Sequence, residues 1–375
     1  MGHQIIEGDA AKALGLREKW ALLSPSLKQH GREALVYATL QAGMEYFVTE
    51  HGYLAYITVT HPVFARKPKK IVFSDPVCAL ADQGELIQSF LAVNPRVVFA
   101  CISEACAATL RGMRFKVNCV GYESLLPIQS YNTKGNWKEL DLIKRARNEA
   151  KREGLTIREE PDIARVDRAQ LAAVSASWIG GKPVNDREIW FFARRPVFEH
   201  EEDVRKFLAY DRDGRVAGFA FYDPIYRDGV VCGYAANILR SDERRFGRLP
   251  TALHMEAMEK FKPEGKEVLN LLLAPCVNLD GGVFNDDYVS KLFFQLSERY
   301  GNDIYNFRGL AFHKAKYRGE QRFLYFASNS AMPSNDIYLA FRSADITRGY
   351  FSTIGRLVWG MVTAKKAVRP DPNSR

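Results

Sequence analysis

The chain has 375 residues, 47% of them apolar and 26% charged, with a formal net charge of +9. This is the composition of a globular protein of roughly two domains, and it excludes a disordered chain, a collagen-like repeat and a disulfide-stapled miniprotein. The positive excess favours polyanionic partners, either nucleic acid or an anionic membrane surface. No apolar run approaches the roughly 20 residues of a membrane-spanning helix. The N-terminal stretch, carrying Glu7, Asp9 and Glu18, does not read as a signal peptide. Six scattered cysteines without a C-x-x-C pair, and no His/Cys cluster, point to a reduced cytoplasmic protein without a structural metal.

In chain order, periodicity predicts a helix over 33–42, then strands over 53–60 and 70–73, the second closed by Ser74-Asp75-Pro76. A helix over 85–92, a strand over 96–102 and a helix over 104–111 stopped at Gly112 follow. After a basic segment comes a helix over 168–178. Strands over 206–210 and 216–222 are joined by Asp211-Arg212-Asp213-Gly214, a hairpin signal. The chain continues with a strand over 230–239, a loop over 240–247 and a helix over 249–261. A strand over 267–273 closes at Ala274-Pro275, and a helix over 288–300 precedes strands near 305–311 and 323–327. Alternating strands and helices argue for a mixed α/β sheet. The order in the second half matches the acetyltransferase (GNAT) fold. In that fold a loop and helix N-terminus after the fourth strand present backbone N–H groups to the donor's phosphates. Residues 244–249 occupy that place, but Pro250 follows and a second small residue is missing, so a coenzyme A donor stays open.

The charge is uneven. Residues 134–154 hold seven basic against four acidic residues, and 346–375 hold six against one. The first segment reads as a helix with Trp137, Leu140 and Ile143 on one stripe and Lys144, Arg147 and Lys151 on another face. That face is either a solvated linker or a phosphate-tracking surface whose binding would be salt-sensitive. In the tail, Tyr350, Ile354, Leu357, Val358, Met361 and Val362 recur at helical spacing ahead of Lys365, Lys366 and Arg369. Such a helix can rest on an anionic bilayer through 348–369 or dock on the protein body.

Residues 304–326 contain Phe307, Lys314-Ala315-Lys316-Tyr317 and Arg322-Phe323-Leu324 in succession. This resembles the closing signature of the phosphatidylglycerol lysyltransferase C-terminal family, the aminoacyl-phosphatidylglycerol synthase catalytic domain. Three further patches agree in order. Residues 73–78 resemble its Gly-Asp-Pro turn, Asn237-Ile238-Leu239-Arg240 its Asp-x-x-Arg motif, and Leu272-Leu273-Ala274-Pro275 its Gly-Leu-Ala-Pro strand end. The resemblance implies two tandem acetyltransferase-like lobes with mixed sheets flanked by helices, over 1–133 and 161–345. A basic helix over 134–160 joins them and a basic amphipathic tail over 346–375 follows.

The resemblance also implies aminoacyl-tRNA as co-substrate with no other cofactor, and a hydroxyl or amine acceptor on phosphatidylglycerol or on a natural-product intermediate. The protein would be cytoplasmic and able to sit on the inner membrane face. Two departures matter: the family's membrane-embedded portion is absent, and Asn237 stands where Asp is expected. The implied catalytic residues are Asn237, Arg240 and His313. Arg240, Lys314 and Lys316 would contact the tRNA end or an acceptor phosphate, with Arg308 a fourth cation, and Lys144, Arg147 and Lys151 would bind tRNA. His254, His313 and Asp75 are base candidates; the Tyr317 hydroxyl is a hydrogen-bond donor or else its ring is core. A coenzyme A-dependent N-acyltransferase on the same fold and a non-catalytic tRNA- or membrane-binding module are the rivals.

Overall fold

The computed structural model describes residues 2–131, 140–181, 190–242, 245–301 and 305–347, with 349 and 355. Trp137 of the predicted basic helix and nearly all of the predicted tail lie outside the described residues. The first half runs β1 (His3–Ile6), α1 (Gly8–Ala13), α2 (Leu16–His30), β2 (Glu45–Thr49), β3 (Gly52–His61), β4 (Ala65–Phe73), β5 (Val77–Cys78), α3 (Gln83–Val93), β6 (Val97–Ile102), α4 (Glu104–Gly112) and β7 (Lys116–Pro127). The second half runs α5 (Asp141–Arg152), β8 (Thr156–Glu159), α6 (Arg168–Gly180), β9 (Arg205–Tyr210), β10 (Val216–Arg227), β11 (Val230–Ser241), α7 (Leu249–Phe261), β12 (Val268–Pro275), α8 (Tyr288–Tyr300), α9 (Phe307–Ala315), β13 (Glu320–Ser328) and α10 (Pro333–Ser343).

The described strands form one mixed sheet in the order β1-β2-β3-β4-β6-β13-β7-β12-β11-β10-β9-β8, with β5 beside β3. Its two halves repeat a plan. In each, an antiparallel meander ends in a parallel pair, β4 with β6 and β11 with β12, bridged by a helix. This is the tandem acetyltransferase-like architecture. The halves are stitched by exchange: β7 of the first pairs with β12 of the second, while β13 of the second pairs with β6 of the first. The two exchanged strands pair with each other over Glu320–Ser328 and Lys116–Leu125. Gly121, with φ +135°, makes the seam possible: a Cβ there would sit 2.1 Å from the Ala274 carbonyl oxygen.

Central strands carry continuous apolar runs because both faces are covered; all of β6, Val-Val-Phe-Ala-Cys-Ile, is buried. Where periodicity is clean the predicted elements match, as for α8 over residues 288–300. Two differ. The predicted helix over 33–42 is a fully buried 3-10 turn, Val36–Leu40, in which the Thr39 hydroxyl donates to the Val36 carbonyl at 2.5 Å. The predicted strand near 305–311 is α9. Asn306 caps it by accepting from the Gly309 N–H at 2.9 Å, and Phe307 and Lys314, seven apart, share its buried face.

Candidate active site in the split of the second half

In the first half, β4 and β6 stay paired from Lys70 opposite Val97 to Phe73 opposite Ala100. Just beyond, Asp75 accepts from the Ser103 N–H at 2.7 Å and from its hydroxyl at 2.6 Å, closing the pair. In the second half, β11 and β12 pair only from Gly233 to Ala235 and then diverge. Residues 236–241 and 271–275 become two walls of an open V. Each half carries a bulge on its inner strand, at Cys101 (φ 59°) and Leu272 (φ 64°), a left-handed conformation rare for such residues. Both bulges border one cavity of about 600 Å³.

The lining of the cavity is chemically mixed. Asn237, Arg240, Thr251, His254, Lys314 and Lys316 supply polar groups; Ala100, Val120, Phe326, Ile337, Ala340 and Phe341 supply apolar surface. Leu142 on α5 and Phe312 on α9, both largely exposed, lie on its rim.

Each polar group is placed by an identifiable interaction. Arg240 is buried at the end of β11, its guanidinium stacked 3.5 Å from the centre of the Trp178 ring on α6. Asn237 donates its Nδ2 to Asp223 at 2.7 Å, while its buried Oδ1 has no hydrogen-bond partner among the described residues. Asp223, fully buried on β10, is gripped by Arg194, whose Nε lies 2.9 Å from both carboxylate oxygens; Arg194 also reaches Glu201 at 2.6 Å, which pairs with Lys206 at 3.0 Å. The helical form of α9 brings His313 and Lys316 together at i, i+3, with Lys316 Nζ 3.0 Å from His313 Nδ1 and donating to Thr251 Oγ1 at 2.6 Å. Lys314 projects from the other side of that turn and donates to the Leu273 carbonyl, beside the bulge, at 2.5 Å.

Burial decides the protonation states. It pushes the Lys314 amine down to about 7, against the opposing pull of Glu123. Lys316 falls to about 8 through burial and the nearby Arg248 charge. His254 falls to about 3 through burial and both lysines, so it is a neutral imidazole, 3.0 Å through Nδ1 from the Tyr222 hydroxyl.

The residues singled out from sequence therefore sort into groups. Asn237, Arg240, His254, His313, Lys314 and Lys316 converge on the cavity. Asp75 belongs to the closed split of the first half and does not line it. Arg308 is exposed and donates to the Arg299 carbonyl outside it. Tyr317 is wholly buried, its ring edge-on to His254 and His313, a packing residue behind the wall. Lys144, Arg147 and Lys151 lie on α5, whose Ile143, Ala146 and Ala150 are buried and which packs on α7. Arg147 is paired with Glu259 at 3.3 Å. Sequence reasoning missed Trp178, Arg194, Asp223 and Thr251. Asp223 had a signal, a carboxylate inside the apolar run Phe219–Ile225 that demands a buried partner.

Two parallel pairs in tandem, one closed and one open, joined by exchanged strands around one cavity, define an acetyltransferase-like fold. The chain belongs to the phosphatidylglycerol lysyltransferase C-terminal family, whose model matches residues 25–328. L-PGS from Bacillus licheniformis superposes with a TM-score of 0.69 at 19% identity, covering 87% of this chain and 96% of that one. The C-terminal domain of a putative lysylphosphatidylglycerol synthetase from Agrobacterium fabrum gives 0.68 at 18%, covering 90% and 100%. An uncharacterised protein of Corynebacterium glutamicum is 24% identical over 226 residues, 59% of this chain but 28% of that protein, so the match spans little more than a quarter of that relative. No described helix is long and apolar enough to cross a membrane.

Proposed function

We propose that the protein moves an aminoacyl group from aminoacyl-tRNA to a hydroxyl or amine acceptor, either phosphatidylglycerol or a related lipid or small molecule. The observation that carries this reading is the buried Lys314 amine, donating to the Leu273 carbonyl where β11 and β12 have parted, in a cavity with both polar and apolar lining. The acceptor O–H or N–H attacks the carbonyl carbon of the tRNA ester. A new bond forms to that carbon, the bond to the ribose oxygen breaks, and the acceptor proton passes to neutral Lys314 and on to the departing ribose oxygen. An amine with a pKa of about 7 is suited to both transfers at neutral pH. Arg240 and Lys316 supply positive charge to the tetrahedral oxyanion in a site that is largely desolvated. The apolar part of the lining suits acyl chains or another greasy acceptor body. Leu142 of α5 borders the cavity, which supports assigning the basic residues of that helix, Lys144, Arg147 and Lys151, to contact with tRNA phosphates.

The test is a transfer assay with tRNA charged with a labelled amino-acid mixture, phosphatidylglycerol vesicles and a panel of small amines, with and without ribonuclease. Ribonuclease-sensitive label in lipid or amine is expected. Absence of transfer together with saturable acyl-coenzyme A binding would overturn the tRNA reading.

A further inference from the structure

We propose that Glu123 of β7, acting through Asn270 of β12, is a positioning residue for Lys314, so that the first half of the chain holds and tunes the amine with which the second half acts; this rests on the aminoacyl-transfer reading and adds the groups that set its base.

The link runs through the bulge. Asn270 lies opposite Leu125 and Leu273 opposite Glu123, so β12 takes three steps where β7 takes two. The extra residue is accommodated at Leu272, whose φ of 64° a bulky side chain adopts only when its surroundings hold it there. Asn270 supplies that hold. Its Oδ1 accepts from the Leu272 N–H at 2.7 Å and its Nδ2 donates to Glu123 Oε2 at 3.0 Å, with all three residues buried. The carbonyl that follows, that of Leu273, faces the Lys314 amine and accepts from it at 2.5 Å. With one N–H fixed on that carbonyl, the lone pair of a neutral amine is confined to a narrow range of directions, which is what proton transfer at a set point in the cavity requires.

Glu123 also acts by charge. Burial lowers the Lys314 amine to about 7, and the Glu123 carboxylate opposes that fall. The carboxylate is itself held in place, since its Oε2 accepts from the Arg322 guanidinium at 2.6 Å, and Arg322 reaches Glu33 at 3.0 Å. Within the cavity Lys314 shares the lining with Arg240, Arg248, His254, His313 and Lys316. Glu33, which burial and then the Asp75 charge push up to about 7, titrates in the same range. A signal specific to Lys314 is therefore needed.

The test is an NMR titration of the intact protein carrying lysine isotope-labelled at Cε, the Lys314 resonance being assigned by its loss in Lys314→Met. Glu123→Gln keeps the shape and the acceptor toward Asn270 but removes the charge. It should lower the Lys314 midpoint by about one pH unit, and Glu123→Asp should recover at least half of that shift. In transfer from charged tRNA the rate inflection should move with the midpoint. Asn270→Ala should lower maximal single-turnover transfer about tenfold or more at an unchanged tRNA half-saturation, because the Leu273 carbonyl is no longer held. A Lys314 midpoint that stays in place in Glu123→Gln would overturn the proposal. Should that variant fail to fold, Asn270→Ala transferring at the parent rate would overturn it by itself. A shifted midpoint in a protein that transfers nothing from any charged tRNA would overturn the transferase reading and leave the positioning of Lys314 standing.

Discussion

The two strand splits share one plan but end differently. Beyond β4 and β6 the chain is sealed by the Asp75–Ser103 hydrogen bonds, and Lys69 of β4 is tied to buried Asp336 of α10. Beyond Ala235 and Asn270 the second pair opens, and the opening is lined by Arg240 of β11 and by Lys314 and Lys316 at the end of α9. The first half therefore contributes a closed joint with Ala100, Cys101 and Val120 on the cavity lining, and the second contributes the cationic groups proposed for the chemistry. A repeated frame does not imply a repeated site: a few residues past the end of a parallel pair decide whether the split is a joint or a cavity.

The sharpest way to break that contrast is Lys314→Met. It should lower transfer about 100- to 10,000-fold with Tm unchanged or raised, measured by single-turnover transfer and calorimetry. An undiminished rate would remove Lys314 from the chemistry. Arg194→Met should instead act on stability, because it leaves Asp223 and Glu201 buried without their partner. A drop of about 3–5 kcal/mol in denaturant unfolding is expected. In the first half Asp75→Ala should cost about 1–3 kcal/mol of stability through the unsatisfied Ser103 N–H, and its effect should appear in unfolding rather than in turnover. A catalytic collapse without destabilisation would mean that the closed split has a role in chemistry.

The pH dependence follows from the same geometry. With Lys314 acting as neutral amine, the transfer rate should rise through about pH 7 and then level, and Lys314→Met should erase that inflection. The Lys314 pKa is lower folded than unfolded, so between about pH 7 and 8.5 the unfolded chain binds more protons. Stability should therefore increase across that window in the parent and increase less in the variant. The smallest effect is expected from α5. Neutralising Lys144 and Lys151 should weaken tRNA binding and flatten the plot of log affinity against log salt, its slope falling by about 1 for each phosphate that is no longer neutralised. An unchanged slope would make α5 a packing helix only.

Legibility varies with the range of the interactions involved. The helices α4, α6 and α8 are readable because their capping and apolar spacing are local, as with Ser103 accepting from the Cys106 N–H. The helix α2 escapes a periodicity reading because Pro25 sits inside it. Strand β7 escapes it too: its buried Asn118, Glu123 and Ser124 look like a loop until their partners on β12, β13 and the segment between β12 and α8 are in place. The strand assignment near 305–311 fails because alternation of Tyr305, Phe307, Gly309 and Ala311 mimics period two, while the Asn306 cap that sets the helix is a single residue.

The sequence by itself determined the α/β class, the family, and which residue types are available to the site, since Asn237, Arg240, His313, Lys314 and Lys316 stand in motifs set by short spacings. Tertiary structure alone decided that β7 and β13 exchange, and that Lys314 is a buried amine rather than a surface cation. These outcomes depend on pairing between residues more than 100 positions apart, and on desolvation, which is a property of the surroundings a side chain acquires and not of its neighbours in the chain.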